Sequence, residues 1–164
     1  MLFSGIYKEK TVLITGHTGF KGGWLSLWLN SLGANVIGIS LDPNSKKSFF
    51  NINKIEDKVE DIRLDIRNLE ELKRIFQSSQ PDFVFHLAAQ PLVKRSYLNP
   101  VETWTTNLLG TVNILESIRF IEKKCACVII TSDKCYENNE WVWGYREDDR
   151  LGGADPYSAS KGCA

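Results

Sequence analysis

The sequence has no excess of charge of either sign, because Lys plus Arg and Asp plus Glu each number 20 among 164 residues. Surfaces that bind nucleic acid or an anionic membrane usually give a domain a marked basic excess. We therefore expect neither as a partner, and any anionic ligand must be held by a local site. With 43% hydrophobic and 24% charged residues, the chain has the composition of one ordinary globular domain.

Long apolar segments and cysteine motifs are also missing. The uncharged run 22–41 contains serines, asparagines and glycines, which argues against a membrane span. Residues 1–10 lack the apolar core of a signal peptide. The four cysteines show no C-x-x-C spacing, so we expect no metal site and no disulfide framework. This cysteine usage is typical of a reducing compartment, and we expect the cytoplasm.

Short apolar segments alternate with helical patterns along the whole chain. Such alternation, with fully apolar strands, predicts a parallel sheet covered by helices on both faces. The expected fold class is therefore α/β, a Rossmann-type doubly wound parallel sheet with strand order 3-2-1-4-5. The five predicted strands are residues 11–15, 35–40, 59–64, 83–87 and 126–131.

The segments between the strands carry expectations of their own. The uncharged run is expected to form a buried helix over residues 20–32, with Trp24 and Trp28 on one face together with leucines 25, 29 and 32. Asn68, Asn99 and Asp155 are predicted N-caps. Proline follows the last two, and Pro100 opens a long helix. The polar segment 42–55 is expected to be a turn-rich loop.

A glycine-rich turn follows the first strand directly and opens the first helix. It reads Gly16-His17-Thr18-Gly19-Phe20-Lys21-Gly22. Glycines let the backbone approach a pyrophosphate, and the N–H groups of a helix N-terminus attract its negative charge. A simple tight turn is the alternative. The position between an apolar strand and a helix favours a dinucleotide site.

A Y-x-x-x-K pair, Tyr157 and Lys161, begins a helix near residue 156. Side chains at i and i+4 lie on one helical face, and a lysine ammonium beside a phenol favours the phenolate, which makes tyrosine a usable general base. The glycine turn, the HLAA of residues 86–89, the TNxxGT of residues 106–111 and this pair occur in the order that resembles the extended short-chain dehydrogenase/reductase family.

The resemblance implies NAD as cofactor. The family usually has an acidic residue on the adenosine ribose, but that position falls on Ser40, with Asp42 two residues later. We expect no arginine nearby to receive a 2′-phosphate, which favours NAD over NADP. Asp65 is either an adenine contact or a solvated carboxylate, and His86 is expected to be a satisfied core histidine. The implied cofactor-binding residues are Gly16, Thr18, Gly19, Phe20, Gly22, Asp42, Asp65, Ile66, Leu87, Ala88, Ala89, Thr106, Tyr157 and Lys161; Asn107 is expected to be a structural brace.

The motifs TGHTGFKG, AAQPLVKRSY, SDKCY, WVWGYRE and DPYSxSKGCA resemble one branch of that family, the CDP-glucose 4,6-dehydratases. The branch oxidises C4 of the sugar, eliminates water across C5 and C6, and returns the hydride to C6. By this resemblance Ser132 hydrogen-bonds the substrate hydroxyl and Asp133 is the acid that protonates the leaving oxygen. Lys134 is either the C5 base or a mere loop cation. Tyr157 is the general base, assisted by Lys161.

The substrate side is defined less sharply. Gln90, Arg95 and Ser96 follow HLAA near the expected sugar position, although Arg95 is equally suited to a structural ion pair. Trp141, Trp143 and Tyr145 form either a stacking wall for the sugar or the packing of their own loop.

Family members are about twice as long, so we expect residues 1–164 to be the N-terminal, NAD-binding domain of a longer enzyme, inactive without its substrate lobe. The resemblance also implies a homodimer or higher homo-oligomer and a role in making deoxysugars for bacterial surface polysaccharides such as O-antigen. Two alternatives stay open: another nucleotide-sugar dehydratase or epimerase, and a catalytically silent dinucleotide-binding protein on the same fold.

Overall fold

A computed structural model describes residues 2–164 and shows one five-stranded parallel sheet. Its order is β3-β2-β1-β4-β5, which confirms the predicted topology. Each predicted strand is present, and three end one or two residues earlier than expected, which is the usual uncertainty at element ends. The strands are β1 Thr11–Thr15, β2 Asn35–Ser40, β3 Glu60–Arg63, β4 Phe83–His86 and β5 Ala126–Ile129.

Helices connect the strands on both faces. The helices are α1 Phe20–Ser31, α2 Phe49–Ile52, α3 Leu69–Ser79, α4 Val93–Leu98, α5 Pro100–Trp104, α6 Gly110–Ile118 and α7 Pro156–Cys163, with a π-helical turn over Thr105–Leu109 and single 3-10 turns at Leu2–Gly5, Ile55–Asp57 and Asp133–Cys135.

The alternation of side chains along the strands divides the core into two layers. Leu13 of β1 belongs to the layer that α3 and α6 cover, together with Phe76 and Ile114. Val12 and Ile14 point the other way, into the layer beneath α1. Strands buried on both faces explain why their sequences read as continuous apolar runs.

Two of the three cap predictions that the sequence carries are confirmed. The Asn68 side chain accepts a hydrogen bond from the Glu71 N–H, and the Asp155 carboxylate accepts one from the Ser158 N–H at 2.9 Å. Asn99 makes no such side-chain bond, although Pro100 does begin α5. Its backbone carbonyl instead accepts the Thr103 hydroxyl, so the prediction of a side-chain cap there was wrong.

The prediction for the tryptophans of α1 was also wrong. Trp24 and Trp28 are about half exposed, and the buried side of the helix contains Gly22, Ser26 and Leu29. Small residues on that side let the helix lie close to the glycine turn, where a Cβ on Gly22 would collide with the Gly16 carbonyl. The larger aromatic rings are left on the outer surface, and Trp24 stacks on Phe49.

The segment 42–55 is not simply a loop. It contains α2, whose Phe50 is fully buried and packs edge-on against His17. The helix has only four residues, of which Phe50 is the buried one, and so short a helix gives no periodic signal, which is why it was missed. The long helix predicted after Pro100 is present, but the π-helical turn interrupts it at 105–109.

The described residues, 2–164, contain neither a membrane-length helix nor a metal cluster. No helix there is long and apolar enough to cross a membrane. No group of three or more His, Cys, Asp or Glu side chains is arranged to hold a metal ion in this part of the chain. All four cysteines are free thiols.

Candidate functional site

The glycine turn between β1 and α1 is shaped by contacts that exclude side chains. Gly16 has a φ of +80°, and a Cβ there would lie 2.8 Å from the Ala88 nitrogen at the end of β4. A Cβ on Gly22 would collide with the Gly16 carbonyl. Gly19 precedes α1 with no side-chain cap, so no capping side chain occupies the first N–H groups of the helix. This geometry matches a pyrophosphate cradle.

The second strand ends beside this turn. Thr18 hydrogen-bonds Ser40 (2.7 Å between hydroxyl oxygens) and donates to the Leu41 carbonyl at 3.0 Å. Asp42 is almost fully exposed and forms an ion pair with Arg63, 3.8 Å away. The expectation that no arginine stands near the end of β2 was therefore wrong, because Arg63 reaches across from the neighbouring strand.

Asp65, after β3, is already paired. Arg67 contacts its carboxylate through Nε at 3.0 Å and through Nη2 at 2.5 Å, and these hydrogen bonds lower the pKa of Asp65. Ile66 is buried under Gly110, where an added Cβ would overlap its side chain. Both residues stay candidates for adenine contacts through their backbone and the exposed part of the Asp65 carboxylate.

A buried chain of hydrogen bonds runs from the end of β1 through the end of β4 to α6. The Thr15 hydroxyl accepts the N–H groups of Leu87 and Ala88, both at 3.1 Å, so its own proton points to His86 Nδ1, 2.6 Å away. His86 Nε2 then carries the hydrogen and donates to Thr111 at 3.1 Å. Burial, with the charge of Lys161, lowers the pKa of His86 to about 4. The expectation of a satisfied core histidine is confirmed.

Asn107 braces the strand end against two helices from its position in the π-helical turn. Its side-chain oxygen accepts the Gln90 N–H at 2.8 Å, and its amide donates to the Gln90 carbonyl and to Ser160 of α7 at 3.2 and 2.9 Å. This confirms its predicted structural role. The same asparagine therefore fixes the backbone after β4 relative to the helix that carries Tyr157 and Lys161.

The Tyr157–Lys161 pair faces the carboxyl end of the sheet. The Lys161 ammonium donates to the Ile130 carbonyl at 3.0 Å, just beyond β5. Burial lowers the pKa of Lys161, and the nearby charge of Lys21 in the glycine turn lowers it further. Tyr157, one helical turn earlier, is buried at the same helix face. The structure thus brings the pair, the end of β5 and the glycine turn to one edge of the sheet.

Ser132, Asp133 and Lys134 lie on the exposed turn that α7 packs against. Ser132 donates to the Asp133 carboxylate at 2.9 Å, and Lys134 contacts the other carboxylate oxygen at 3.3 Å. These two hydrogen bonds lower the pKa of Asp133. These hydrogen bonds stay within the turn and do not include the Tyr157 hydroxyl, and the catalytic roles of the three residues stay predictions.

The three predicted substrate residues all have protein partners. The Gln90 side chain donates to Thr103 at 2.9 Å and accepts the Leu92 N–H at 2.7 Å. Arg95 forms a two-pronged ion pair with Glu102. Ser96 is fully buried. These contacts favour the structural alternative for Arg95, and sugar binding by any of the three stays a prediction.

The aromatic residues before α7 pack against one another. Trp141 stacks on Trp143, with ring centroids 5.4 Å apart, and Tyr145 stacks on Tyr136 at 5.1 Å. Trp141 also contacts Tyr145. This supports packing of the loop itself, and Trp143 keeps one exposed face.

Two features of the site were missed from the sequence. His17 is fully buried and its Nε2 donates to Asp61 of β3 at 2.8 Å, while Arg63 contacts Asp61 and Asp42 together. The signal for Arg63 was available, because parallel register pairs it directly with Ser40. The contact between His17 and Asp61 depends on the glycine at position 38, against which the His17 ring packs. No spacing pattern in the sequence predicts this contact.

A parallel sheet in this order, a glycine turn at the carboxyl end of β1, and a Tyr-x-x-x-Lys pair at the same edge define a Rossmann-type domain of the extended short-chain dehydrogenase/reductase class. The GDP-mannose 4,6 dehydratase family matches residues 13–164. The chain belongs to this family.

Individual relatives agree with that assignment. CDP-glucose 4,6-dehydratase of Salmonella typhimurium is 51% identical over 164 residues, which are 100% of the chain and 46% of that protein. The structure of epimerase Mth375 from Methanothermobacter thermautotrophicus has a TM-score of 0.82 and 30% identity, covering 97% of the chain and 46% of the epimerase. The structure of UDP-glucose 4-epimerase of Thermus thermophilus in complex with NAD has a TM-score of 0.77 and 30% identity, covering 92% of the chain and 47% of the epimerase. The chain spans about half the length of these relatives.

Proposed function

We propose that these residues form the NAD-binding part of a nucleotide-sugar 4,6-dehydratase that acts on CDP-glucose. The observation that supports this most is the 51% identity with the Salmonella enzyme over the whole chain. The Ser132-Asp133-Lys134 turn adds a chemical reason. Epimerisation needs no acid for a departing oxygen, whereas dehydration does, and Asp133 offers one beside the Tyr157 helix.

The residues present fit NAD. The turn is so tight that a Cβ on Gly16 or Gly22 would meet backbone atoms of the chain itself, the N-terminus of α1 is uncapped by side chains, and two alanines stand at positions 88 and 89 after β4. Gly16, Thr18, Gly19, Phe20 and Gly22 would hold the pyrophosphate. The segments after β2 and β3 would hold the adenosine, and residues 87–89 with Thr106 and the Tyr157–Lys161 pair the nicotinamide side. When bound, NAD supplies the acceptor for the C4 hydride and its return to C6.

The chain's own groups handle the protons. Tyr157 takes the proton of the C4 hydroxyl, with Lys161 one helical turn away on the same face of α7. Ser132 hydrogen-bonds the same hydroxyl once it turns away from Asp133. That rotation also removes the hydrogen bond that most lowers the pKa of Asp133, which prepares its carboxyl to protonate the leaving C6 oxygen. The proton that Lys134 shares with Asp133 across their 3.3 Å contact would first pass to that carboxylate. Asp133 would then be the acid that protonates the leaving C6 oxygen, and the neutral Lys134 amine would accept the C5 proton.

We propose, further, that the substrate-binding lobe corresponds to the half of the relatives that the chain does not span. On this proposal residues 1–164 bind the dinucleotide but do not by themselves turn over CDP-glucose, and the whole enzyme is a homo-oligomer. A cytoplasmic role in making deoxysugars for surface polysaccharides follows from the proposed product, CDP-4-keto-6-deoxyglucose. Free thiols throughout residues 2–164 suit that compartment.

The test uses a protein that contains both this sequence and the substrate lobe. It is incubated with NAD⁺ and, in separate reactions, CDP-glucose, dTDP-glucose, UDP-glucose or GDP-mannose. We expect a 4-keto-6-deoxy product from CDP-glucose, seen by its alkaline absorbance and by mass. Tyr157→Phe is expected to lose the product and to keep its fold and its NADH binding. A C4 epimer without loss of water would establish an epimerase instead. No change in any sugar, with NADH bound, would establish a silent binding protein.

A further inference from the structure

The end of β2 lacks the carboxylate that usually reads the adenosine ribose in this fold. Ser40 stands there, and its hydroxyl is hydrogen-bonded to Thr18. The only acidic side chain of the segment 40–44 is Asp42, which is 89% exposed and contacts Arg63 of β3. Selection at the 2′ position must therefore come from groups supplied by other elements together with Asp42.

Arg63 is the group that the neighbouring strand supplies. Its guanidinium donates to the Leu41 carbonyl at 3.2 Å and to Asp61 at 2.7 Å, and it lies over the buried Phe50 ring, 4.8 Å from the centroid. These contacts come from three directions, so they fix the guanidinium at the end of β2. Two of its five N–H donors are used by these hydrogen bonds, and the side chain keeps a third of its surface exposed.

The charges around Arg63 oppose the binding of a phosphate there. His17 contacts Asp61 through Nε2, but burial lowers the pKa of His17, so it is neutral at pH 7. Arg63 therefore balances Asp61 alone. Asp42, 3.8 Å from the Arg63 Nε, leaves the group with one negative charge, which repels a dianionic 2′-phosphate.

We propose that Arg63 is a latent receptor for an adenosine 2′-phosphate, that Asp61 holds it in place, and that Asp42 masks it. Preference for NAD over NADP then depends on the Asp42 charge. This inference rests on the proposed dinucleotide binding. Arg63, the last residue of β3, is then a determinant of dinucleotide specificity that lies outside the end of β2 itself.

The experiment is to titrate the chain with NADH and NADPH, following energy transfer from its tryptophans to the reduced nicotinamide. Asp42→Asn is expected to lower the ratio of the NADPH Kd to the NADH Kd by about five- to tenfold. This magnitude is that of removing one charge ~7 Å from a phosphate in a medium close to water. Adding Arg63→Gln to Asp42→Asn is expected to remove the gain. High salt is expected to shrink it, because the interacting groups are solvent-accessible.

Glu122→Gln is the matched control, since it removes the same charge from the loop before β5, at the opposite end of the sheet, and is expected to leave the ratio unchanged. Circular dichroism verifies the fold of each variant. An unchanged ratio in Asp42→Asn, or a gain that survives Arg63→Gln, would overturn the inference while the NADH binding of the wild type still supports the proposed function. Failure of the wild type to bind either dinucleotide would refute both.

Discussion

Replacing Asn107 by alanine tests the brace between the strand end and the helix α7. The side chain is 1% exposed and makes three hydrogen bonds, two with the Gln90 backbone and one with Ser160. Removing it leaves the Gln90 N–H and carbonyl buried without these partners. A buried donor left unsatisfied costs ~1–3 kcal/mol and an ordinary hydrogen bond contributes ~1 kcal/mol.

We expect the free energy of unfolding to fall by about 3 kcal/mol. For a domain of this size that corresponds to a drop in Tm of roughly 6–12 °C. The assay is urea unfolding followed by far-ultraviolet circular dichroism, with thermal unfolding as a second measurement.

Asn113→Ala is the matched control on the same stretch of helix. Asn113 makes a single hydrogen bond, to the Ile66 carbonyl at 3.0 Å, so its loss is expected to cost about 1 kcal/mol. The change in helix propensity is the same in both variants and cancels in the comparison. Equal losses of stability in the two variants would refute the assignment of Asn107 as the brace.

Two further predictions concern the glycine turn and His86. Gly16→Ala is expected to weaken NADH binding, measured by calorimetric titration, more than tenfold. The reason is that the residue has a φ of +80° and its Cβ would lie 2.8 Å from the Ala88 nitrogen. Gly144→Ala, whose Cβ would have nothing within 4 Å, is expected to bind NADH normally. Stability is expected to fall by about 2 kcal/mol between pH 7 and pH 5 on account of His86, whose pKa is about 4 in the folded chain and about 6.5 unfolded, so that the unfolded chain takes up the proton first as the pH falls. Urea unfolding at both pH values checks this, and a slope that His86→Gln leaves unchanged would count against it.

The elements that could be predicted from the sequence are those whose signals are local. The strand order and β1 follow from apolar runs between turn residues, and the Asp155 cap follows from one side chain and the proline after it. Trp24 and Trp28 were misplaced because helical periodicity does not tell which of two apolar faces is inward. Gly22 and Ser26 decide it, by letting the backbones approach.

The parts of the site that escaped prediction depend on contacts between segments distant in the sequence. Arg63 reaches Asp42 only because β3 lies beside β2 in parallel register. The tautomer of His86 follows from the two N–H groups that Thr15 accepts, 72 and 73 residues away. The Ser132 hydroxyl was predicted to contact the substrate hydroxyl, but it donates to Asp133. Sequence spacing alone does not decide between these two partners.

The central claim is that one edge of the sheet holds a dinucleotide with its nicotinamide end against Tyr157 and Lys161. A crystal structure of the chain with NADH bound tests it directly. We expect the pyrophosphate on the turn from Gly16 to Gly22 and the nicotinamide ribose within hydrogen-bonding distance of Lys161. A dinucleotide bound elsewhere, or one whose nicotinamide points away from α7, would contradict the account.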